Sequence, residues 1–387
     1  MYLYLFILLL IVLIYIVENK ANRDKEFIEE MINIKYSEGP VLWNRNKCKY
    51  MMNNVLADLL KQYNLNKTLD NDWHLYFPCT YNDINAEIKE MTPTKDNQKI
   101  FIIHNADYLA AKNILWQSIY MKYGRNKAKQ ITPDTYRLYN KEDMEEFSKN
   151  YNKNKLYIMK KNIQRQEGLK ITNDYNFITN NSDNYVVVQE LLQNPYLIDG
   201  RKINMRFYVL VICHNGEVEF YVHNNGFMYY TRDKFIKNSL EEGPNITTGY
   251  IDRQVYEVNP LTHDDFRKYL DANRQLTNDE LNIIKTHKLS KYAFDNIYKT
   301  IKDGLISLKL NICKNKKLDK SITFELFGAD IALDDKLQAQ IIEINKGPDL
   351  SAKDGRDKQV KVKVVSDILR IMKIIKDNEK HEFISLN

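Results

Sequence analysis

The stretch Gln340–Leu350, QIIEINKGPDL, decides how the chain is read. Isoleucines at 341, 342 and 344 mark a buried strand, and Lys346-Gly347-Pro348 ends it. Glu343 stands in the middle of that strand. A buried carboxylate is costly unless it is paired or holds a metal, so a partner is expected. Upstream, FGADIAL (residues 327–333) is equally apolar with one carboxylate inside, Asp330, and the polar DDKLQ between the two reads as a turn. A hairpin centred between Lys336 and Leu337 sets Asp330 opposite Glu343, Ile331 opposite Ile342 and Gly328 opposite Asn345. Alternation along a strand puts Glu343 and Asn345 on one face. Like charges directly opposite repel. Three oxygen-bearing side chains on one face, two of them carboxylates, therefore predict a hard cation, magnesium first, held by Asp330, Glu343 and Asn345. Gly328 and Ala332 leave room beside Asp330. The competing reading is an edge hairpin with solvated acids, and a one-residue slip would part the two carboxylates.

Cations gather in a second set of segments. Lys160 closes the apolar strand LYIM, and Arg165, Gly168 and Lys170 follow in NIQRQEGLKI. Lys202, Asn204 and Arg206 alternate along DGRKINMRFYVL and so share a face. One such lysine alone reads as a snorkelling side chain. Beside a magnesium site, cations projecting from strands are what a nucleoside triphosphate needs. The sequence holds neither a Walker loop nor GxGxxG, which excludes the P-loop and Rossmann phosphate sites.

The 387 residues allow two or three domains, and 44% hydrophobic content supplies a sizeable core. The formal net charge of +6 permits an acidic partner without requiring one. KYMMNNVLADLLKQY has helical spacing, and KIFIIHN is a short strand. DYLAAKNILWQSIYMKYG reads as one helix stopping at Gly124. YVVVQELL is a buried strand, and residues 201–230 form a hairpin or meander with turns at His214-Asn215-Gly216 and Asn224-Asn225-Gly226. The last helix carries Val360, Val364, Ile368, Ile371 and Ile375 on one face. The class is α/β or α+β. Four dispersed cysteines fit no zinc spacing and read as reduced thiols. Tyr2–Val17 is uncharged and, as a helix, roughly 24 Å long. Followed by Lys20, Arg23 and Lys25, it reads as a single-pass N-terminal transmembrane anchor (1–17) with the bulk of the chain cytosolic. A charged linker (18–40) and an N-terminal α/β domain (41–105) follow.

These residues resemble the tubulin–tyrosine ligase-like family of the ATP-grasp superfamily. VVVQELLQNPYLIDGRKINMRFYVLV resembles the family's Gln-containing hinge followed by P-x-L-I-D-G-x-K-[FI]-D-x-R-x-[YW]-V-L. FELFGADIALD and IIEINKGPDLS resemble its F-E-[LI]-x-G-x-D-x-x-[LI]-D and [LI]-E-[VI]-N-x-x-P-x-[LM]. The similarity runs from about residue 104 to 376. It implies an ATP-grasp fold with a central domain (106–188) and a C-terminal domain (189–387). It further implies an ATP- and magnesium-dependent ligase that activates a protein carboxylate as an acyl phosphate. A free amino acid, glutamate on family precedent, would then be joined to it. The acceptor would be an acidic tail, tubulin foremost, and no nucleic acid would be involved. By the same resemblance Lys160 and Lys202 hold phosphates, with Arg165 and Gly168 in the covering loop. Gln189, Glu190, Leu191 and Leu192 form the adenine hinge. Asn204 stands where the family has a nucleotide-binding Asp, and Arg206 neutralises the transferring phosphoryl group.

The departures from the pattern are specific. The family's Lys-Pro is Lys160-Lys161, and its R-G-x-G-[IL] loop is Arg165-Gln166-Glu167-Gly168-Leu169. Its G-x-x-R ends in Tyr229, with Arg232 nearby, and its H-L-T-N is Asn245-Ile246-Thr247-Thr248. The last two fall where acceptor or amino acid would lie, so an ATP-binding scaffold without ligase activity and a ligase for a non-tubulin acceptor both stay open. The basic KDGRDKQVKVK is either a surface for an acidic tail or a solvated helix start.

Overall fold

Four short strands build the smaller of two sheets: β1 (Thr135–Arg137), β2 (Tyr157–Lys160), β3 (Leu169–Thr172) and β4 (Val187–Glu190), ordered β1-β4-β2-β3 and antiparallel throughout. Alternation along β2 sorts its side chains onto two faces. Tyr157 and Met159 enter an aromatic cluster with Tyr136 and Phe147, the latter on the helix Lys141–Asn150. Ile158 joins Leu156, Ile171 and Leu191 in a second cluster, which also takes in Leu169 and Ile246. The residue two beyond Ile158 is Lys160, which the same alternation turns to Ile158's side.

The coordinates are a computed structural model that describes residues 34–37, 39–81, 83–162, 168–249, 251–272 and 274–387. Residues 36–387 form one compact unit. The larger sheet is centred on β5 (Arg201–His214), β6 (Phe227–Thr231), β7 (Ile322–Leu333) and β8 (Ala339–Lys346). On one edge the 14-residue β5 serves two partners. Its first half pairs with β6, and its second half, from Val209 on, pairs with Glu217–His223. On the other edge it runs beside β7 from Asn204↔Ala332 to Cys213↔Thr323. Every residue of β7 is buried, as a strand covered on both edges and both faces must be. Short N-terminal strands extend this sheet in parallel, Lys99–Ile100 lying directly against β7.

The hairpin β7–β8 has the expected pairs Asp330↔Glu343 and Gly328↔Asn345, but Ile331 faces Ile341 rather than Ile342. The register shifts at Asp330/Ile331, so Ile342 is the extra residue of a bulge. The turn sets this shift: Asp334 accepts hydrogen bonds from the amides of Lys336 and Gln338, and Leu337 adopts φ 60°. The expected helix from Asp107 is broken by extended backbone at Ala111. Lys112 thereby becomes the first residue of α1 (Lys112–Tyr123), which stops at Gly124 with φ 72°. Helix α2 (Leu289–Ile306) lies against β8, where Gly304 leaves no room for a Cβ beside Ile341. Helix α3 (Gly355–Ile371) is capped by the Asp354 carboxylate and buries Val360, Val364 and Ile368. Ile375 is buried too, but lies beyond the helix end.

Two expectations are corrected. The cysteines are not free: Cys48–Cys79 and Cys213–Cys313 are disulfides, with Cα–Cα separations of 5.3 and 5.9 Å. The fold brings together residues 31 and 100 positions apart, which spacing along the sequence could not show. Among the described residues, no helix is long and apolar enough to cross a membrane. Even the 18-residue α2 carries Lys291, Asp295, Lys299, Lys302 and Asp303. The apolar run 2–17 lies outside the described residues. A membrane-anchored protein with a membrane partner therefore has no support here and is not carried forward.

Candidate active site

One cleft is lined by Ile158, Lys160 and Leu169 of the small sheet, the Gln189–Leu192 segment, Lys202 and Asn204 of β5, Asp330, Ile342 and Glu343 of the hairpin, and Lys112 and Asn245. Lys160, Gln189–Leu192, Lys202, Asn204, Asp330 and Glu343 thus meet in one place, from segments up to 183 positions apart (Lys160 to Glu343), while Arg206 and Asn345 reach it through Asp330 and Glu343. Arg165 lies outside the described residues. Gly168 adopts φ +69° beside the Lys161 side chain, and its carbonyl accepts from the Lys161 amide at 3.2 Å.

Burial disfavours the charge on two lysines of the cleft. Lys160 and Lys202 are each 5% exposed. Burial pushes Lys160 down to about 8, with Glu343 pulling the other way. Burial, and then Lys160 itself, pushes Lys202 down to about 8. A buried ammonium whose charge is disfavoured to this extent is poised for an anion.

The carboxylates carry cations of their own. Asp330 takes a bidentate pair from Arg206, Nε to Oδ1 at 2.5 Å and Nη2 to Oδ2 at 3.0 Å. β5 and β7 make this pair, because Arg206 and Asp330 are register partners. Burial lowers the Arg206 pKa, but Asp330 outweighs it and holds the guanidinium charged. The Tyr229 ring covers Arg206 at 5.3 Å. Space left by Gly328 is filled by this guanidinium, since a Cβ there would sit 3.0 Å from Arg206 Cδ and 3.1 Å from Nη1. Room expected for a metal cation is thus taken by a protein cation. Glu343 meets Lys112 Nζ at 3.5 Å. Burial raises the Glu343 carboxyl, but Lys112, Lys160 and the Asn345 amide together hold it below the ordinary value. Asn345 Nδ2 donates to Glu343 Oε1 at 2.9 Å, so Asn345 belongs to the same corner.

The donor set fits magnesium in part. Among the described residues, no three His, Cys, Asp or Glu side chains gather to hold a metal unaided. Two carboxylates and an amide are the short oxygen set that suits magnesium when phosphates and water complete its shell. The apolar end of the cleft also fits a ligand. Apolar Ile158, Leu169, Leu191 and Ile246 form a slot, and the buried Gln189 Oε1 and Asn204 Oδ1 beside it accept no hydrogen bond. Part of the Gln189–Leu192 backbone is already engaged. The amides of Glu190 and Leu191 already donate to Asp134 O and Leu156 O, each at 2.8 Å. The Glu190 carboxylate turns to Lys155 at 2.7 Å.

Sequence reasoning missed Lys112, and it marked Asn245 only as a departure from the family's H-L-T-N, on the acceptor or amino-acid side. Lys112 carried a usable signal, a lone cation inside the apolar DYLAAKNILW. Two flagged substitutes separate: Tyr229 joins the Arg206 corner, while Arg232 is exposed at the end of β6. In the basic stretch, Lys361 is buried and bonds Ser351 O and Asp357, and Lys363 bonds Asp367. Those two charges serve the fold, whereas Lys353, Arg356 and Lys358 of the same stretch are exposed.

A small sheet and a large sheet joined across a cleft of lysines, carboxylates and an apolar slot define a mixed α/β protein of the ATP-grasp kind. The chain belongs to the tubulin-tyrosine ligase family, whose model matches residues 89–382. It is similar to tubulin polyglutamylase TTLL6 of Mus musculus, with 23% identity over 351 residues, 86% of this chain and 40% of that protein. It is also similar to the probable tubulin polyglutamylase TTLL9 of Rattus norvegicus, with 26% identity over 196 residues, 49% of this chain and 39% of that protein. A probable beta-tubulin polyglutamylase of Tetrahymena thermophila shares 25% over 242 residues, 59% of this chain and 20% of that protein. The chain spans at most about two fifths of the length of these curated relatives.

Proposed function

We propose that the chain is an ATP- and magnesium-dependent carboxylate–amine ligase that joins an amino acid, glutamate first, to a carboxylate on an acidic protein tail, with tubulin the leading acceptor. One observation carries this reading. Lys160, Lys202, Asp330 and Glu343 line a single cleft, next to an apolar slot with unsatisfied acceptors. Family membership supports the reaction type, and the names of the relatives support glutamate and tubulin.

In this reading Asp330, Glu343 and Asn345 hold magnesium. Lys160 and Lys202 hold phosphates, with Arg165 and Gly168 in the covering loop. The base lies in the apolar slot at Gln189–Leu192, and Asn204 faces the ribose–phosphate region. Bound ATP would pass its γ-phosphoryl group to the acceptor carboxylate and leave as ADP, and the amine would then attack the acyl carbon, giving up a proton and displacing phosphate. Arg206 neutralises the anionic oxygens there, and Tyr229 fixes the guanidinium from one side. Lys112 orients Glu343. The same reading divides the chain into an N-terminal domain (41–105), a central domain (106–188) and a C-terminal domain (189–387).

The test incubates the protein with tubulin, Mg-ATP and each labelled amino acid in turn. Incorporation of glutamate alone is expected. No incorporation of any amino acid, by protein that binds ATP, sinks the proposal in favour of a scaffold. Incorporation into other proteins but not tubulin moves the acceptor elsewhere.

A further inference from the structure

Asn245 lines the cleft from the segment between β6 and the strand pair Thr247–Thr248. Its loop is braced from within. The amides of Asn245 and Ile246 both donate to Glu242 O, at 2.9 and 2.8 Å. The side chain is 2% exposed, and its Nδ2 donates to Ser239 O at 2.8 Å and Glu241 O at 2.9 Å. Both partners are carbonyls, so the amide has one orientation: turned over, its oxygen would face two oxygens. Oδ1 therefore points away from those carbonyls, and it is buried with no hydrogen-bond partner. The next residue, Ile246, packs on the apolar slot.

Gln189 repeats the arrangement. Its Nε2 is spent on Thr135 Oγ1 at 2.8 Å, and its Oε1 is buried without a partner. Two amides lining one cleft thus have their donors committed inside the protein and their acceptors left over. Buried acceptors without partners are costly, and a ligand that brings donors to them recovers that cost. The wall is matched to a ligand bearing N–H or O–H groups rather than carbonyls.

We propose that Asn245 is a specificity-determining residue of the nucleotide site: Oδ1 accepts a hydrogen bond from a donor on the nucleoside, either the exocyclic amine of the base or a ribose hydroxyl. This rests on the ATP reading above. Calorimetric titration of the full chain tests it, with magnesium and ATP, purine riboside triphosphate, 2′-deoxyATP or 3′-deoxyATP, on the natural protein and on Asn245→Ala. The natural protein is expected to bind one analogue about 10-fold more weakly than ATP. Asn245→Ala is expected to weaken ATP by the same factor and to leave that analogue unchanged. The analogue so affected identifies the donor. A disturbed loop weakens all four nucleotides alike, and that outcome overturns the inference while the ATP reading stands. Failure of the natural protein to bind any of the four overturns both.

Discussion

Replacing Lys160 with Met should make the ligand-free protein more stable. Lys160 is 5% exposed at the end of β2, and burial lowers its pKa from 10.5 to about 8. Lowering a pKa by one costs the charged form about 1.4 kcal/mol relative to the neutral form. Below pH 8 the lysine is charged in both folded and unfolded chains, and the full penalty, about 3 kcal/mol, acts against folding. Between pH 8 and 10.5 the folded chain gives up its proton first. The unfolded chain then binds more protons, so the stability of the natural protein rises with pH through that window. Above 10.5 the penalty is gone. Methionine has similar length and no charge to desolvate, but it also removes a cation that supports Glu343. The net expectation is a gain of about 2 kcal/mol at pH 7, shrinking steadily towards pH 10. Urea unfolding of the ligand-free chain at pH 7, 8, 9 and 10 measures it. In parallel, Mg-ATP binding should weaken roughly 10–100-fold, the loss of a charge-assisted contact. Equal stability at pH 7, or a difference that does not change with pH, would refute the claim that this ammonium is held in the fold at its own cost.

Asp330→Asn should destabilise the metal-free protein by about 3 kcal/mol, because it strands a buried guanidinium, and adding Arg206→Gln should restore most of that loss. A double variant no more stable than the single one, in the same urea assay, would rule out the pair. Gly328→Ala pushes a methyl against Arg206 and should lower the rate of amino-acid incorporation while leaving Mg-ATP affinity within about threefold; a parallel loss of both would place Gly328 in the backbone scaffold instead. Without reductant, no cysteine should react with an alkylating agent in urea, and peptide mapping should recover Cys48–Cys79 and Cys213–Cys313; four alkylated thiols would contradict the pairing.

The hairpin was legible because its information is local. Apolar alternation and a short polar turn fix which residues face each other, and Asp330 met Glu343 as expected. The bulge at Ile342 was not legible, since it depends on how Asp334 folds the turn around its own carboxylate. The Arg206–Asp330 pair was hidden for a different reason. It requires β5 beside β7, an adjacency between segments 124 residues apart that no spacing encodes. Lys112 reaches the cleft only because the backbone breaks at Ala111, where the periodic pattern runs on without interruption. Asn245 depends on a loop whose side-chain bonds to Ser239 and Glu241 carbonyls have no sequence signature. Both disulfides likewise follow from tertiary contact alone.

The most direct measurement is calorimetric titration of ATP into the natural protein and into Glu343→Gln, each with magnesium and with chelator. Glu343→Gln keeps the shape of the corner and removes one of its two negative charges. One site is expected for the natural protein with magnesium, strongly weakened by chelator and by the substitution alike. Binding that is indifferent to both would contradict the assignment of this cleft as a magnesium–nucleotide site.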